Sequence, residues 1–374
     1  MIPLNKPGSI ENKEKYDYVA GHFGNLHAYI LSNAGDGLNL AYRRLYKERG
    51  SLRVAVSPMA CVLAIYPIIQ NGHVPVFIDV DADTFNLNAK RLIERDDIDA
   101  VEVIHLAGNP NEMDVICKWA EENKKPIIED CAQALGSTYN GIDVGNFGDY
   151  ASFSLIKNLH IMIGGLFLSK YEFNAKFIPT ISSMILGYRE LKRFLESHSD
   201  HNRYNIFNYL YYSLLRLKEH SAQEPSSNIH SLTERRANKI RKELCKIVEL
   251  NKKRVENAKY IIEHVDSTKY LVQKGLPKGE TNRNRLLFKI SEPKAKETIM
   301  TLRSKGIAAN NFTQNYLFGY QQPVSCDKLL KRYYTAEELK VFDTLYDNII
   351  AVPCSPFLRK DELDYIIDKM NEMK

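Results

Sequence analysis

Hydrophobic and polar positions follow two periods along the first half of the chain. Between residues 50 and 170, short runs rich in β-branched and aromatic residues alternate with longer stretches of helical character. The runs predict strands at 53–57, 74–80, 100–106, 125–130, 150–155 and 164–169, and the stretches predict crossover helices at 60–71, 88–96 and 112–123. Strands joined in this way are mostly parallel and are covered by helices on both faces. The pattern therefore predicts a three-layer α/β domain.

The pattern changes after residue 170. Residues 175–230 are polar and aromatic, with one apolar stripe at helical spacing from Ile206 to Leu217. We interpret that stripe as a buried or subunit-facing helix in preference to a membrane-surface helix. Further along, the predicted elements are a long charged helix at 232–264, a strand at 285–290 and helices at 292–305 and 359–373. We expect a large domain at 1–244, with 175–230 as an inserted helical region, and a small α/β domain at 245–374.

Composition narrows the class of protein. A length of 374 residues, with 44% hydrophobic and 26% charged residues, is typical of a folded protein with more than one core. The net charge of +5 is spread along the chain without a basic arm, which favours small anionic ligands over nucleic acid. The polar N-terminus, the lack of an 18-residue apolar stretch and six cysteines without a C-x-x-C pair predict a cytoplasmic protein without a membrane span. The histidines and cysteines have no metal-ligand spacing, so we expect no metal site.

Candidate chemistry begins at a strand end. Ligands of open parallel sheets bind beyond the carboxyl ends of the strands, and Asp130 ends the predicted strand 125–130. A lone aspartate there is commonly only a helix cap. Here, however, Asp130 is the second residue of the string EDCAQALGSTYNGIDVGNFGDYASFSLIKNLHIMIGGLFLS, which runs from Glu129 to Ser169.

This string resembles the DegT/StrS-type nucleotide-sugar aminotransferases, a pyridoxal-phosphate family of fold type I. The family block runs E-D-x-A-Q/H-A-x-G-x-x-Y-x-G-x-x-x-G-x-x-G-D, then S-F-x-x-x-K and paired glycines. PVFIDVDADTFNLN (75–88), HLAGNP (105–110) and SNAGDGLNLA (32–41) resemble further family segments. The resemblance covers residues 25–170 well and the remainder loosely. It implies an aspartate-aminotransferase-like fold and a homodimer whose active sites are shared between subunits.

The resemblance also implies roles for single residues. Lys157 forms the Schiff base with pyridoxal 5'-phosphate, and Asp130 pairs with the ring nitrogen. Gln133 lies near the phenolic oxygen, and Ser152 holds the phosphate together with the amides of Ala34 and Gly35. The residue types suit this chemistry, because the cofactor needs an amine, an anion at its ring nitrogen and donors at a helix start.

Other assignments are less direct. Asn228 corresponds to an asparagine that the family sends to the phosphate of the neighbouring subunit. His105 and His160 are candidate substrate-pocket residues, although His105 is at least as well explained as a structural histidine bonded to a loop carbonyl. Cys61 stands where the family stacks an aromatic side chain on the cofactor ring.

The implied reaction is transfer of an amino group, with glutamate as donor, to a keto-deoxysugar on a nucleoside diphosphate, for polysaccharide or glycan biosynthesis. The chain departs from the family at Ala34-Gly35, usually Gly-Thr, at Cys61, and at 160–163, usually T-T-G-E. Two alternatives therefore stay open: a weakly active or non-catalytic partner subunit, and a sugar dehydratase using the same cofactor. In the dehydratases a histidine replaces the lysine, whereas here Lys157 remains. No G-x-G-x-x-G follows the first predicted strand, which argues against a dinucleotide enzyme.

Overall fold

The structure is a computed structural model that describes residues 2, 17–159, 161, 163–173, 178–179, 230–292, 294–311, 330–333 and 338–373. In chain order the strands are β1 (His27–Leu31), β2 (Arg53–Val56), β3 (Val74–Phe77), β4 (Ala100–Ile104), β5 (Ile127–Asp130), β6 (Thr138–Tyr139), β7 (Ile142–Asp143), β8 (Tyr150–Ser154), β9 (Gly165–Ser169), β10 (Ile178–Pro179), β11 (His230–Ser231), β12 (Tyr270–Val272), β13 (Gly279–Glu280), β14 (Leu286–Ile290) and β15 (Ile349–Val352). The helices are α1 (Tyr18–Phe23), α2 (Ala34–Arg49), α3 (Val62–Gln70), α4 (Ala89–Ile93), α5 (Met113–Asn123), α6 (Leu155–Leu159), α7 (Glu234–Leu244), α8 (Ile247–His264), α9 (Ala295–Ser304), α10 (Lys340–Tyr346) and α11 (Lys360–Asn371).

The largest sheet has the strand order β10-β11-β1-β9-β8-β5-β4-β2-β3. Strands β3, β2, β4, β5 and β8 are mutually parallel, and β9 is antiparallel to both of its neighbours, β8 and β1. Each of the six predicted strands is present within three residues of its predicted bounds. The predicted, mainly parallel sheet is confirmed, and β1 is an additional strand that the pattern did not predict.

Both faces of this sheet are covered. Leu45 of α2 and Ile65 of α3 belong to one buried apolar layer, which includes Val54 and Ile128 of the sheet. Trp119 of α5 belongs to the opposite layer, with alternate strand residues such as Val101, Val103 and Ile127. Burial on both faces explains why the strands are continuous apolar runs.

A second unit is built around the antiparallel sheet β12-β14-β15, in which β14 is central. Leu286 and Ile350 belong to an apolar cluster with α8, α9 and α11, whereas Leu287 and Ala351 belong to the core of the large sheet. The two units therefore share a packed boundary. Buried Asp79, just after β3, reinforces it by accepting the backbone N–H groups of Val341 and Phe342 in α10, both at 2.9 Å.

The single helix predicted at 232–264 is wrong in one respect. It is broken after Leu244, where α7 ends and a turn at Cys245 and Lys246 leads into α8. At this turn the Lys246 N–H donates to the Glu243 carbonyl, three residues back, at 3.1 Å, in place of the four-residue spacing of an α-helix. We propose that the second unit begins at this break.

Two further expectations concern the inserted region and the lack of a membrane span. The amphipathic helix predicted around Ile206 to Leu217, and nearly all of the inserted region 175–230, lie outside the described residues. Among the helices that are described, none has both the length and the apolar character needed to cross a bilayer.

Candidate active site

The candidate site lies at the carboxyl ends of β5 and β8. Asp130 is the last residue of β5, and Ser152 is its register partner on the adjacent strand β8. Helix α6 follows β8 without a gap and contains Lys157. Asp130 therefore comes from the end of one strand and Lys157 from the helical turn directly after the neighbouring parallel strand, at the edge of the sheet where ligands bind.

The half-buried Lys157 and the buried Asp130 are electrostatically coupled. Burial lowers the pKa of the Lys157 amine, and the Asp130 charge offsets part of that shift. Burial likewise raises the pKa of the Asp130 carboxyl, and Lys157 opposes it. The Oδ1 atom of Asp130 accepts the N–H of Ala132 at 2.8 Å, which fixes the carboxyl group. The pair provides an amine and an anion at one place.

Cys61 belongs to the same electrostatic environment. It immediately precedes α3, and burial raises the pKa of its thiol while Lys157 lowers it. The sequence placed Cys61 at the position of a ring-stacking aromatic, and the structure brings it close enough to Lys157 and Asp130 for their charges to act on it.

The start of α2 provides a place for an anion. Asn33 caps the helix by accepting the N–H of Asp36 at 3.0 Å, and the Asp36 carboxylate is in turn bound by Ser32 and Asn33. The first amides of a helix, here those of Ala34 and Gly35, have no intrahelical partner and attract anions. Ser152 lies at the same point, because its Oγ donates to the carbonyl of Ala34 at 2.7 Å.

Glycines make this close approach possible. A Cβ on Gly37 would lie 2.5 Å from Ser152 Oγ, and a Cβ on Gly165 would lie 2.4 Å from the backbone of Asn33. Strands β8 and β9 therefore reach the start of α2 only because these positions lack a side chain. An amine, a buried carboxylate and a helix start with a nearby hydroxyl match the groups that pyridoxal phosphate needs, so the residues present fit this cofactor.

Gln133 and His105 are both engaged with protein groups. Gln133 Oε1 accepts the N–H of Ala107 at 2.8 Å, which holds the loop after β4. Buried His105 accepts the N–H of Asn111 at Nδ1, 3.2 Å away, so its proton lies on Nε2, 3.2 Å from Glu129 Oε2. Both ring nitrogens are used inside the protein, as in a structural histidine.

Hydrogen bonds also account for a cluster of residue types that could bind a metal. His105, Glu129 and Cys131 place their ligand atoms within 4.8 Å of one another. However, the lone pair of His105 is taken by Asn111, and the Glu129 oxygens accept backbone amides. These contacts identify a hydrogen-bond network. His160 and Asn228 lie outside the described residues.

Sequence reasoning missed two charged residues near the site. Buried Arg285, just before β14, lowers the pKa of Lys157 through its charge. Buried Glu102 on β4 accepts a hydrogen bond from the Tyr42 hydroxyl, and its carboxyl pKa is raised by burial and by the Asp130 charge. A charged residue inside the apolar run AVEVI was a visible sign of Glu102, whereas nothing local marked Arg285.

Similar proteins include enzymes of nucleotide-sugar metabolism. The chain is 32% identical over 140 residues to the GDP-perosamine synthase of Escherichia coli O157:H7, a match covering 37% of this chain and 38% of that protein. It is 33% identical over 165 residues to the dTDP-4-dehydro-2,6-dideoxy-D-glucose 3-dehydratase of Saccharopolyspora spinosa, covering 41% of this chain and 35% of that protein. Each match thus spans well under half of the relative.

Similarity to solved structures extends over most of the chain. A putative sugar aminotransferase from Streptococcus pneumoniae, solved in its PMP form, aligns with a TM-score of 0.69 at 20% identity, covering 94% of this chain and 89% of that one. This likeness confirms the predicted fold class. Residues 11–371 match the sequence profile of one family, which confirms the resemblance seen in the sequence. The chain belongs to the DegT/DnrJ/EryC1/StrS aminotransferase family.

Proposed function

We propose that this protein uses pyridoxal 5'-phosphate to transfer an amino group from glutamate to a keto-deoxysugar on a nucleoside diphosphate, in the synthesis of a polysaccharide or glycan. The observation that carries the proposal is the electrostatic coupling of the half-buried Lys157, on α6, with the buried Asp130 at the end of β5, near the start of α2. Membership of an aminotransferase family and the nucleotide-sugar names of its relatives support the substrate class.

Each residue has a physical task. Bound pyridoxal phosphate supplies an electron sink for the carbon that bears the amino group. Lys157 Nζ accepts and returns a proton, and the lowered pKa of the amine leaves more of it neutral than in an exposed lysine. Asp130 provides the negative charge opposite a protonated ring nitrogen. Ser152 and the amides of Ala34 and Gly35 would hold the phosphate. Because the Ser152 hydroxyl has one proton, it must turn away from the Ala34 carbonyl to donate there.

We further propose that two copies of the chain form a homodimer around the site. Leu63 is the second residue of the apolar helix α3, two positions after Cys61, and it is 54% exposed. The family resemblance implies active sites shared between subunits, and Leu63 is an exposed apolar residue near Cys61 of the candidate site, which makes its position the one to test. Leu63→Arg should lower the mass measured by light scattering to that of a monomer, whereas Leu271→Arg, at a residue 52% exposed on β12, should not.

A cytoplasmic location is also proposed. Cys61, Cys117, Cys131, Cys245 and Cys354 are free thiols in the part of the chain that is described. Free thiols persist in a reducing compartment. Thiol titration of protein isolated under alkylating conditions tests this, and disulfide-linked peptides would argue against it.

The cofactor assignment is tested by locating the modified lysine. Purified protein is incubated with pyridoxal phosphate, reduced with borohydride, digested and analysed by mass spectrometry. We expect modification at Lys157 and its loss in Lys157→Ala. Lys170→Ala is the matched control, because Lys170 is exposed and pairs with Asp149 at 3.5 Å. Modification elsewhere in the wild type would overturn the assignment.

The reaction is tested with a panel of nucleotide keto-sugars and glutamate, with 2-oxoglutarate and amino-sugar as the measured products. Asp130→Asn should lower turnover by about a hundredfold or more, since it removes a preorganised charge. A keto-sugar that loses its hydroxyl group without gaining an amine would identify a dehydratase. Cofactor binding without turnover of any substrate would favour a partner subunit.

A further inference from the structure

The helical turn that carries Lys157 is too short to hold its own shape. Helix α6 has five residues, and isolated helices shorter than about 12 residues are marginal in water. Its position therefore depends on contacts from outside the helix. Asn158 of the turn itself and three side chains from outside it make hydrogen bonds to backbone carbonyls of this turn or of the 131–137 loop, and each of these residues is at most 5% exposed: Asn158, Arg254, Asn282 and Asn284.

Asn158 and Arg254 tie the turn to the residues after Asp130. Asn158 Nδ2 donates to the carbonyl of Ala132 at 3.0 Å and to that of Ser154 at 2.7 Å. Arg254, from α8, donates to the carbonyl of Asn158. These hydrogen bonds therefore join the loop that follows Asp130 to the turn that carries Lys157.

Asn284 contacts the main chain of Lys157 itself. Its Nδ2 donates to the Lys157 carbonyl at 3.2 Å and to Asn158 Oδ1 at 3.3 Å. A carbonyl shares a peptide plane with the neighbouring Cα atoms, so fixing it restricts where the side chain of that residue begins. Asn284 thus acts on the origin of the Lys157 side chain.

Asn284 is itself rigidly placed. It lies two residues before β14, the central strand of the second sheet, and its N–H is accepted by Asn282 Oδ1 at 2.9 Å. Arg283, between them, has a left-handed backbone with φ of 49°, which L-residues adopt only when their surroundings enforce it. Gly108 leaves the room for Asn282, because a Cβ there would lie 1.8 Å from Asn282 Oδ1.

We propose that Asn284 is a positioning residue that fixes the Lys157 amine relative to Asp130 and couples the placement of the second sheet to the reactivity of the lysine. Its use in catalysis rests on the proposed function, whereas the contact itself is present without cofactor. The charges of Asp130, Cys61 and Arg285 surround the amine, and burial is the largest influence on its pKa. Loss of the Asn284 amide loosens the turn and exposes the amine, so its pKa rises toward the value of a free lysine.

The test measures Lys157 in the full-length, cofactor-free protein. Competitive acetylation with acetic anhydride across a pH series, followed by peptide mass spectrometry, gives the midpoint of amine reactivity. Asn284→Ala should move this midpoint to higher pH, with a rise in proton affinity of about threefold or more. Asn86→Ala is the matched control, because Asn86 is also buried and donates to the carbonyls of Asn109 at 3.0 Å and Pro110 at 2.9 Å. The control should lose stability without moving the midpoint.

A second variant keeps the test decisive if the alanine variant does not fold. Asn284→Leu has a similar volume and no N–H to donate, and it adds no charge beside the amine, so it should move the midpoint in the same direction. An unmoved midpoint in a folded Asn284 variant overturns the proposal, as does an equal movement in Asn86→Ala. If the midpoint moves in the Asn284 variants but the wild type does not bind pyridoxal phosphate, the positioning role is supported and the proposed function is contradicted.

Discussion

Glu129 offers a quantitative test of how the candidate site is held. Its two oxygens accept the N–H groups of Gly145 at 2.8 Å, Phe147 at 2.9 Å and Gly148 at 2.6 Å, together with His105 Nε2 at 3.2 Å. All four partners are donors, so a group with only acceptors is required. The carboxylate provides this, and it organises the loop before β8 directly beside Asp130.

Glu129→Gln changes one oxygen into an N–H donor without changing the shape of the side chain. Whichever oxygen is replaced, two donors lose their acceptor, since each oxygen serves two. A hydrogen bond to a charged group contributes about 1.5 to 3 kcal/mol, so the expected loss in the free energy of unfolding is about 3 to 6 kcal/mol. That is a large fraction of the roughly 5 to 15 kcal/mol that stabilises a typical domain.

Urea unfolding followed by circular dichroism at neutral pH measures this loss in the cofactor-free protein. Glu263→Gln is the matched control, because Glu263 is exposed and faces Lys259 at 3.7 Å, a pair worth at most about 1 kcal/mol. A Glu129→Gln protein that unfolds within about 1 kcal/mol of the wild type would refute the reasoning. Water or a shifted loop would then be satisfying the donors.

Three further outcomes are expected from urea unfolding of the cofactor-free protein. The pKa of Lys157 is lowered in the folded state, so the unfolded chain binds the proton more readily. The free energy of unfolding of the wild type should therefore rise from pH 7 to pH 10 relative to that of Lys157→Met. Parallel plots of the two free energies against pH would contradict this. Asp79→Ala should lower the free energy of unfolding by about 2 kcal/mol, because it removes the acceptor at the start of α10, and Asp79→Asn should lower it by about half as much. An Asp79→Ala protein as stable as the wild type would show that the boundary does not depend on this cap. The pKa of Glu102 is raised well above its ordinary value, so the free energy of unfolding of the wild type should fall relative to that of Glu102→Gln once the pH rises above the ordinary pKa of a glutamate. A constant difference between the two proteins from pH 5 to 8 would count against a buried neutral acid.

The sheet was predictable because its strands are buried on both faces. Runs such as VAV and VPVF are apolar at successive positions and lack the spacing of three and four that marks an amphipathic helix. The glycines and charged stretches between the runs mark the crossovers. Strand β1 was missed for the opposite reason: its first three residues are at least partly exposed, so HAYIL has no clear period. The break at Cys245 was missed because α7 and α8 have the same charged character on both sides of it.

The candidate site was predictable only where its residues follow the strands. The rule for strand ends pointed to Asp130, and the resemblance of the 129–169 string to the family supplied Ser152 and Lys157, which lie within 28 positions of it. The supporting residues are distant in sequence: Asn284 reaches the Lys157 carbonyl across 127 positions, and Arg254 reaches Asn158 across 96. Contacts of that separation depend on the packing of two units, which no local pattern encodes.

The segment 75–88 shows how a motif can mark packing instead of chemistry. It resembles a family segment in sequence, yet Asp79 binds the start of α10, the Thr84 carbonyl accepts Gln273 Nε2 at 2.7 Å, and the Asp83 carbonyl accepts the N–H of Lys274 at 3.0 Å. These partners all belong to the second unit, as does Asn284, which contacts the Lys157 carbonyl. The second unit is therefore attached both at this segment and at the lysine turn. The groups that hold this segment and the side chain that holds the Lys157 carbonyl thus come from the same stretch of the chain, residues 273–342, so the placement of the lysine turn depends on how that stretch packs against the large sheet.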